Sequence, residues 1–202
     1  MDRAELTAHH RVRKAIVGTV AAAGALLAFT AFSPTAGAQD RTCRGTIGGE
    51  SIGGNVIVPS GATCHLSGTR VDGNVEVGTN ATLRAYGVIV DGNVQGEDAY
   101  SVNVRQRSFV GGNIQVEDGG GANVQDTTVD GDIQYESNRL GVLADRNRVF
   151  GNIQVSSNRG GVRLRSNRVD GDLQCESNVP APVGGANTVN GDAEGQCTRL
   201  VK

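Results

Sequence analysis

Oxygen-bearing side chains flank a glycine again and again along this chain, and they are the first place to look for chemistry. Asp91-Gly92-Asn93, Asp130-Gly131-Asp132 and Asp170-Gly171-Asp172 each set two such side chains around a residue without a Cβ. That arrangement could supply hard oxygen ligands to calcium, or a pair of carboxylates for glycoside hydrolysis. Calcium-binding β-rolls, however, use a denser G-G-x-G-x-D frame, which is absent here. The residues that follow the repeated glycine are Asn55, Asn74, Asn93, Asn113, Asp132, Asn152, Asp172 and Asp192. If successive repeats stack, these side chains can pass hydrogen bonds from one repeat to the next. A structural ladder is therefore the expected role, with no metal or other cofactor.

Two further charged sets invite a functional reading. Glu97, Glu117, Glu136 and Glu176 lie five residues after their glycines, in a row broken by Ser156. A solvated acidic surface is the expectation for them. Arg146, Arg148, Arg163, Arg165 and Arg168 fall within two neighbouring repeats and could form a patch for an anionic polymer such as a wall glycan. A catalytic group is harder to assemble. His65 is the one histidine after residue 38, it adjoins Cys64, and the repeat places no serine beside it. A flat ice-binding face would need a Thr-x-Thr column, and there is none.

The scaffold that positions these residues is a repeat. Reading V-x-G-[ND]-hydrophobic puts the glycine at Gly54, Gly73, Gly92, Gly112, Gly131, Gly151, Gly171 and Gly191, with intervals of 19, 19, 20, 19, 20, 20 and 20 residues. A period near 20 is that of a solenoid, whose units bury their apolar faces only by stacking. Two residues before the glycine stand Ile52, Val71, Val90, Val110, Val129, Val149, Val169 and Val189; two after it stand Val56, Val75, Val94, Ile114, Ile133, Ile153, Leu173 and Ala193. Continuing to Val58, Val77, Gly96, Val116, Tyr135, Val155, Cys175 and Gly195, this alternation predicts one strand across the glycine with period-two burial. A second inward strand precedes the next glycine, as in Leu83 and Ala85 or Val162 and Leu164. Turn residues separate the strands: Ser60-Gly61, Gly78-Thr79-Asn80, Asp118-Gly119-Gly120-Gly121, Ser137-Asn138, Ser157-Asn158 and Ser177-Asn178. The third repeat is one residue out of register, which a small bulge would absorb. The predicted fold is all-β: a single-stranded parallel β-helix of eight coils of 19–20 residues, right-handed by the usual hand of parallel crossovers.

Residues 1–38 have the layout of a secretory signal peptide. Arg3, Arg11, Arg13 and Lys14 make a basic start, Ala15 to Phe32 is uncharged and apolar, and Ala36-Gly37-Ala38 offers a cleavage site. The domain is then residues 39–202, soluble and exported, with no membrane association after cleavage. Its net charge is -4, because cleavage removes four basic and two acidic residues from a chain of net charge -2. That balance argues against a nucleic-acid partner. Export favours disulfides, and stacking selects the pairs. Coils about 4.8 Å apart bring Cys43 to Cys64 and Cys175 to Cys197, whereas first and seventh coils are roughly 29 Å apart by that spacing, beyond the reach of a disulfide. The pairs staple the two ends. The last repeat decays, with Ala193 and Gly195 in the inward rows and Pro180 and Pro182 before it. Such terminal repeats are caps that blunt open strand edges, which predicts a monomer.

The repeats Ile52-Gly53-Gly54-Asn55-Val56, Val71-Asp72-Gly73-Asn74-Val75 and Val129-Asp130-Gly131-Asp132-Ile133 resemble those of secreted β-solenoid proteins of bacteria and, more remotely, of the bactofilins, polymer-forming right-handed β-helices. The likeness covers about residues 43 to 197. Bactofilins are cytoplasmic and have no disulfide-bonded ends, so the leader and the cysteines depart from that pattern. The resemblance implies no catalytic residues. The functional expectation is an exported, non-enzymatic structural or adhesive β-helix at the cell envelope or outside the cell, with cell-wall or extracellular polysaccharide as the candidate partner. The competing reading is a polysaccharide lyase or hydrolase of the right-handed β-helix type, an analogy of fold alone.

Overall fold

The structure is a computed structural model that describes residues 39–202; the expected signal peptide, residues 1–38, lies outside the described residues. The chain winds as a β-solenoid of about eight turns whose strands form three parallel sheets, of nine, eight and eight strands. Each coil gives one strand to each sheet. In one coil these are Ile133–Glu136 in the first sheet, Val142–Asp145 in the second and Arg148–Val149 in the third. Among the described residues there is no α-helix, and a single 3-10 turn spans Thr198–Leu200.

The expected inward rows stand in file. Val71, Val90, Val110 and Val129 are register partners in succession, and so are Val75, Val94, Ile114 and Ile133. All eight are fully buried. Each contributes about 1.5–3 kcal/mol of apolar burial, and copies of one shape stacked on one another fill a narrow column without large aromatics. Tyr135 is the exception. Its ring is buried, and its hydroxyl crosses the column to donate to the Leu143 carbonyl of the second sheet at 3.1 Å, which meets the demand of a buried phenol for a partner.

The single strand expected across each glycine is two. The chain turns at the glycine, so Thr128–Val129 belongs to the third sheet and Ile133–Glu136 to the first. Alternation in burial survives the turn, which is why the sequence pattern reads as one strand. The cause is close backbone approach. A Cβ at Gly131 would lie 2.8 Å from the Gly112 carbonyl oxygen and closer still to Oδ1 of Asn113, so this corner admits no side chain.

The irregular third coil keeps its strands intact. Arg105 stays in register with Tyr86 and Phe109 with Ile89, and the extra residue sits in the corner between them. There Gln106 and Arg107 are both left-handed, with φ of 63° and 59°, where the next coil has one such residue, Asp126. A corner loop replaces the expected strand bulge because lengthening a solvated turn leaves both hydrogen-bond ladders whole.

Disulfides join Cys43 to Cys64 and Cys175 to Cys197, with Cα separations of 5.5 and 5.1 Å. At the carboxyl end the inward positions Ala193 and Gly195 are no longer buried. Leu200, buried on the 3-10 turn, and Cys197 cover the column instead. Val201 bridges to Asn187, closing the last corner.

Candidate functional site

Position and hydrogen bonding decide what each candidate residue can do. At the glycine corner, Oδ1 of Asn55 accepts the backbone N–H of Asn74 at 2.8 Å, and Oδ1 of Asn74 that of Asn93 at 2.8 Å. The relay passes through Asn113, Asp132, Asn152 and Asp172 and ends at the N–H of Asp192. Asp40 begins it by accepting the N–H of Asn55. These are side-chain to backbone bonds, which asparagine and aspartate make equally well and which explains their interchange. Asp132 and Asp172 each spend Oδ1 on this relay. Among the described residues no three His, Cys, Asp or Glu side chains gather as a metal cluster.

Two more ladders occupy the other corners and went unread in the sequence. Asn138, Asn158 and Asn178 are buried at the corner between the first and second sheets; Asn147, Asn167 and Asn187 are buried between the second and third. In the first set, Oδ1 of Asn158 accepts from both the backbone N–H and Nδ2 of Asn138 at 3.0 Å, and Gln196 ends the run. In the second, Asn167 and Asn187 serve in the same way. Their Oδ1 atoms reach toward the preceding coil, opposite in sense to the glycine-corner relay. Each asparagine follows a left-handed residue, Ser137, Ser157 and Ser177 or Arg146, Ser166 and Ala186. Turn chemistry suffices to explain an exposed Ser-Asn pair, so burial was not anticipated; the signal was the recurrence of asparagine at one fixed distance after the glycine and another before it.

On the outer face of the first sheet, the glutamate row keeps its register from Glu97 through Glu117 to Glu136, then Ser156 and Glu176. Beside it runs a column of amides. Gln95, Gln115, Gln134, Gln154 and Gln174 donate Nε2 to Oε1 in series at 2.7–3.0 Å, and Gln174 ends on Glu194.

The five arginines are divided by a corner. Arg148 and Arg168 are register partners in the third sheet, while Arg163 and Arg165 share a strand of the second. Arg146 is committed to acids: its guanidinium grips Asp126 at 2.8 and 2.9 Å and Asp145 at 2.6 Å. Those hydrogen bonds hold the Asp126 carboxyl below the usual aspartate range and push the Arg146 guanidinium up. Arg148 lies 4.4 Å from the centre of the Phe150 ring and 3.5 Å from Asp170, which also stands 3.9 Å from Arg168. Much of the positive charge is thus answered locally. Among the described residues Arg163 and Arg165 have no ion pair. Burial pushes the Tyr135 phenol up, so it remains a neutral donor, and His65 stands in register between Thr46 and Arg84.

The second sheet carries a partly apolar groove of about 550 Å3. Gly121, Gly141 and Gly161 lie along it, Tyr100 and Leu140 stand on the corner side, and Asn103, Asn123, Leu143 and Arg163 form a register row through it. Comparisons with protein-family models, with curated proteins and with solved structures returned no match to the chain.

Proposed function

We propose that the protein is an exported, non-enzymatic β-helix that serves as a rigid structural or adhesive element at the cell envelope or outside the cell. What supports this most is the interlocking of the coils: the glycine-corner relay runs along the whole stack, buried asparagine ladders tie the other two corners in the carboxyl-terminal coils, and a glutamine column stiffens one open face. A stack tied in this way resists bending and register slip. Two disulfides suit an oxidising compartment, and no helix among the described residues is long and apolar enough to cross a membrane.

The coils vary by no more than one residue, so no long loop rises between them to build a deep cleft. Of the aspartates that could act as an acid–base pair, Asp132 and Asp172 hold the corner relay and Asp170 faces Arg148 and Arg168. The protein is to be incubated with acidic and wall polysaccharides, with sedimentation and reducing-end release measured together. Cosedimentation without release supports the reading. Release that disappears in Asp130→Asn, Asp132→Asn, Asp170→Asn or Asp172→Asn would overturn it in favour of a glycan-processing enzyme.

A further inference from the structure

The groove on the second sheet is made by missing side chains. Asp118-Gly119-Gly120-Gly121 interrupts the otherwise regular coil, and Gly141 and Gly161 repeat the omission in the next two coils. At Gly161 a Cβ would meet nothing within 4 Å, and at Gly141 only the Gly160 carbonyl oxygen at 3.6 Å. The groove is therefore open where those two side chains are missing, with Tyr100 and Leu140 beside it. Tyr100 is 57% exposed and Leu140 48% exposed, and both border the groove.

The chemistry inside is asymmetric. Among the residues lining the groove the one charge is Arg163, and no carboxylate joins it, although the chain as a whole is net acidic. Arg146, Arg148 and Arg168 are held by aspartates; Arg163 is not. Asn103 spends Nδ2 on the Leu83 carbonyl and Ser101. Its register neighbour Asn123 continues the row along the groove. From Asn103 to Arg163 the row rises three coils, on the order of 14 Å. That is too long for one sugar and suited to a short run of them.

We propose that this groove binds a carboxylated saccharide chain lying along the solenoid axis. Sugar rings pack on Tyr100 and Leu140, and a uronate carboxylate pairs with Arg163. A mixed lining of apolar surface with a few fixed polar groups is what small-ligand sites present, and an aromatic and an arginine are the residue types that carry binding. This inference rests on the adhesive reading above and names the polymer and its seat.

The test is calorimetric titration of the full chain with hexagalacturonate, with maltohexaose as the uncharged comparison. Hexagalacturonate is expected to bind and maltohexaose to bind at least about tenfold more weakly. Arg163→Glu and Tyr100→Ala are each expected to weaken hexagalacturonate binding by about tenfold or more, with unchanged circular dichroism. Arg163→Met, which keeps the aliphatic stem, separates charge from packing and is expected to narrow the preference over maltohexaose. Absence of hexagalacturonate binding, or equal binding of the two sugars, overturns the proposal. Binding that survives in both groove variants but falls in Arg148→Glu/Arg168→Glu also overturns it while leaving the adhesive reading standing. Cleavage of the probe is the separate outcome that would sink the adhesive reading itself.

Discussion

Asn158 donates from Nδ2 to Oδ1 of Asn178 at 3.0 Å, and the same oxygen receives the backbone N–H of Asn158 at 3.1 Å. One carboxamide thus closes both the side-chain and the main-chain valences of the coil before it, inside a corner that water does not reach. Replacing Asn158 with Ala leaves the Asn138 N–H without its acceptor and takes one bond each from Asn138 Nδ2, which keeps the Val116 carbonyl, and from the Tyr135 carbonyl. A buried orphan costs about 1–3 kcal/mol and each further lost bond adds to it, so chemical denaturation should show a loss on the order of 3 kcal/mol or more. Asn55→Ala, at the partly exposed start of the glycine-corner relay, should lose about 1 kcal/mol. Equal losses at the two sites would contradict the difference in burial.

The glycine corner makes a prediction about space. In Gly131→Ala the new Cβ meets the Gly112 carbonyl at 2.8 Å and the Asn113 carboxamide, and neither can retreat without breaking the relay. Overpacking of this kind costs about 1–3 kcal/mol. Gly48→Ala, where nothing lies within 4 Å of the added atom, should fall within about 0.5 kcal/mol of wild type, as surface changes usually do. Thermal melts of the two variants side by side settle it; a stable Gly131→Ala protein would mean that coils do not approach so closely there.

The two disulfides close loops of similar length, 21 and 22 residues apart in sequence. Each should contribute on the order of 3 kcal/mol by restricting the unfolded chain. Denaturant midpoints of Cys43→Ser/Cys64→Ser and Cys175→Ser/Cys197→Ser measure this. The second variant should in addition lose hydrogen-exchange protection at Leu200 and Asn187, because Cys197 anchors the turn that covers the column end. Unchanged protection there would show that the turn caps the solenoid without its staple.

Arg146 gives a pH dependence of definite sign. Its hydrogen bonds lower the Asp126 pKa in the folded protein, so the pair's contribution is present above the unfolded-state pKa of Asp126. It is lost as pH falls through the lower folded value, in the acid range. The effect is small, because both side chains are more than two-fifths exposed and solvent screens them. Carbon-detected NMR should find Asp126 titrating below the ordinary aspartate range; Arg146→Met should return it to that range. An Asp126 titration unmoved by that substitution would refute the pairing.

The sequence disclosed the repeat, its eight glycines and the inward valine files because a solenoid writes its period directly into the order of residues. The cysteine pairing followed from the same arithmetic. The chain's third sheet was hidden because Val129 and Ile133 point to one core from two strands, and alternation does not register a turn through Asp130-Gly131-Asp132. Asn138 and Asn158 read as turn residues, since the propensity of asparagine for a bend is the same whether its amide faces water or a buried carbonyl. The arginines looked like one patch because proximity in sequence does not tell which sheet an outward side chain leaves from, or that Asp126 and Asp170 stand opposite. The groove could not be read at all: Gly121, Gly141 and Gly161 are corner-forming residues in sequence, and only stacking turns their lack of side chains into a trough.

The account depends on rigid stacking in register, which spin labels on one outward column measure directly. Labels at Glu76 and Gln154, at Glu76 and Gln174, and at Ile57 and Gln174 span four, five and six coils. Pulsed electron resonance should return narrow distance distributions whose centres lengthen by about 4.8 Å per added coil, from a Cα span on the order of 19 Å for the first pair. Broad distributions, or distances that fail to grow in equal steps, would contradict the laddered solenoid and the rigid adhesive role built on it.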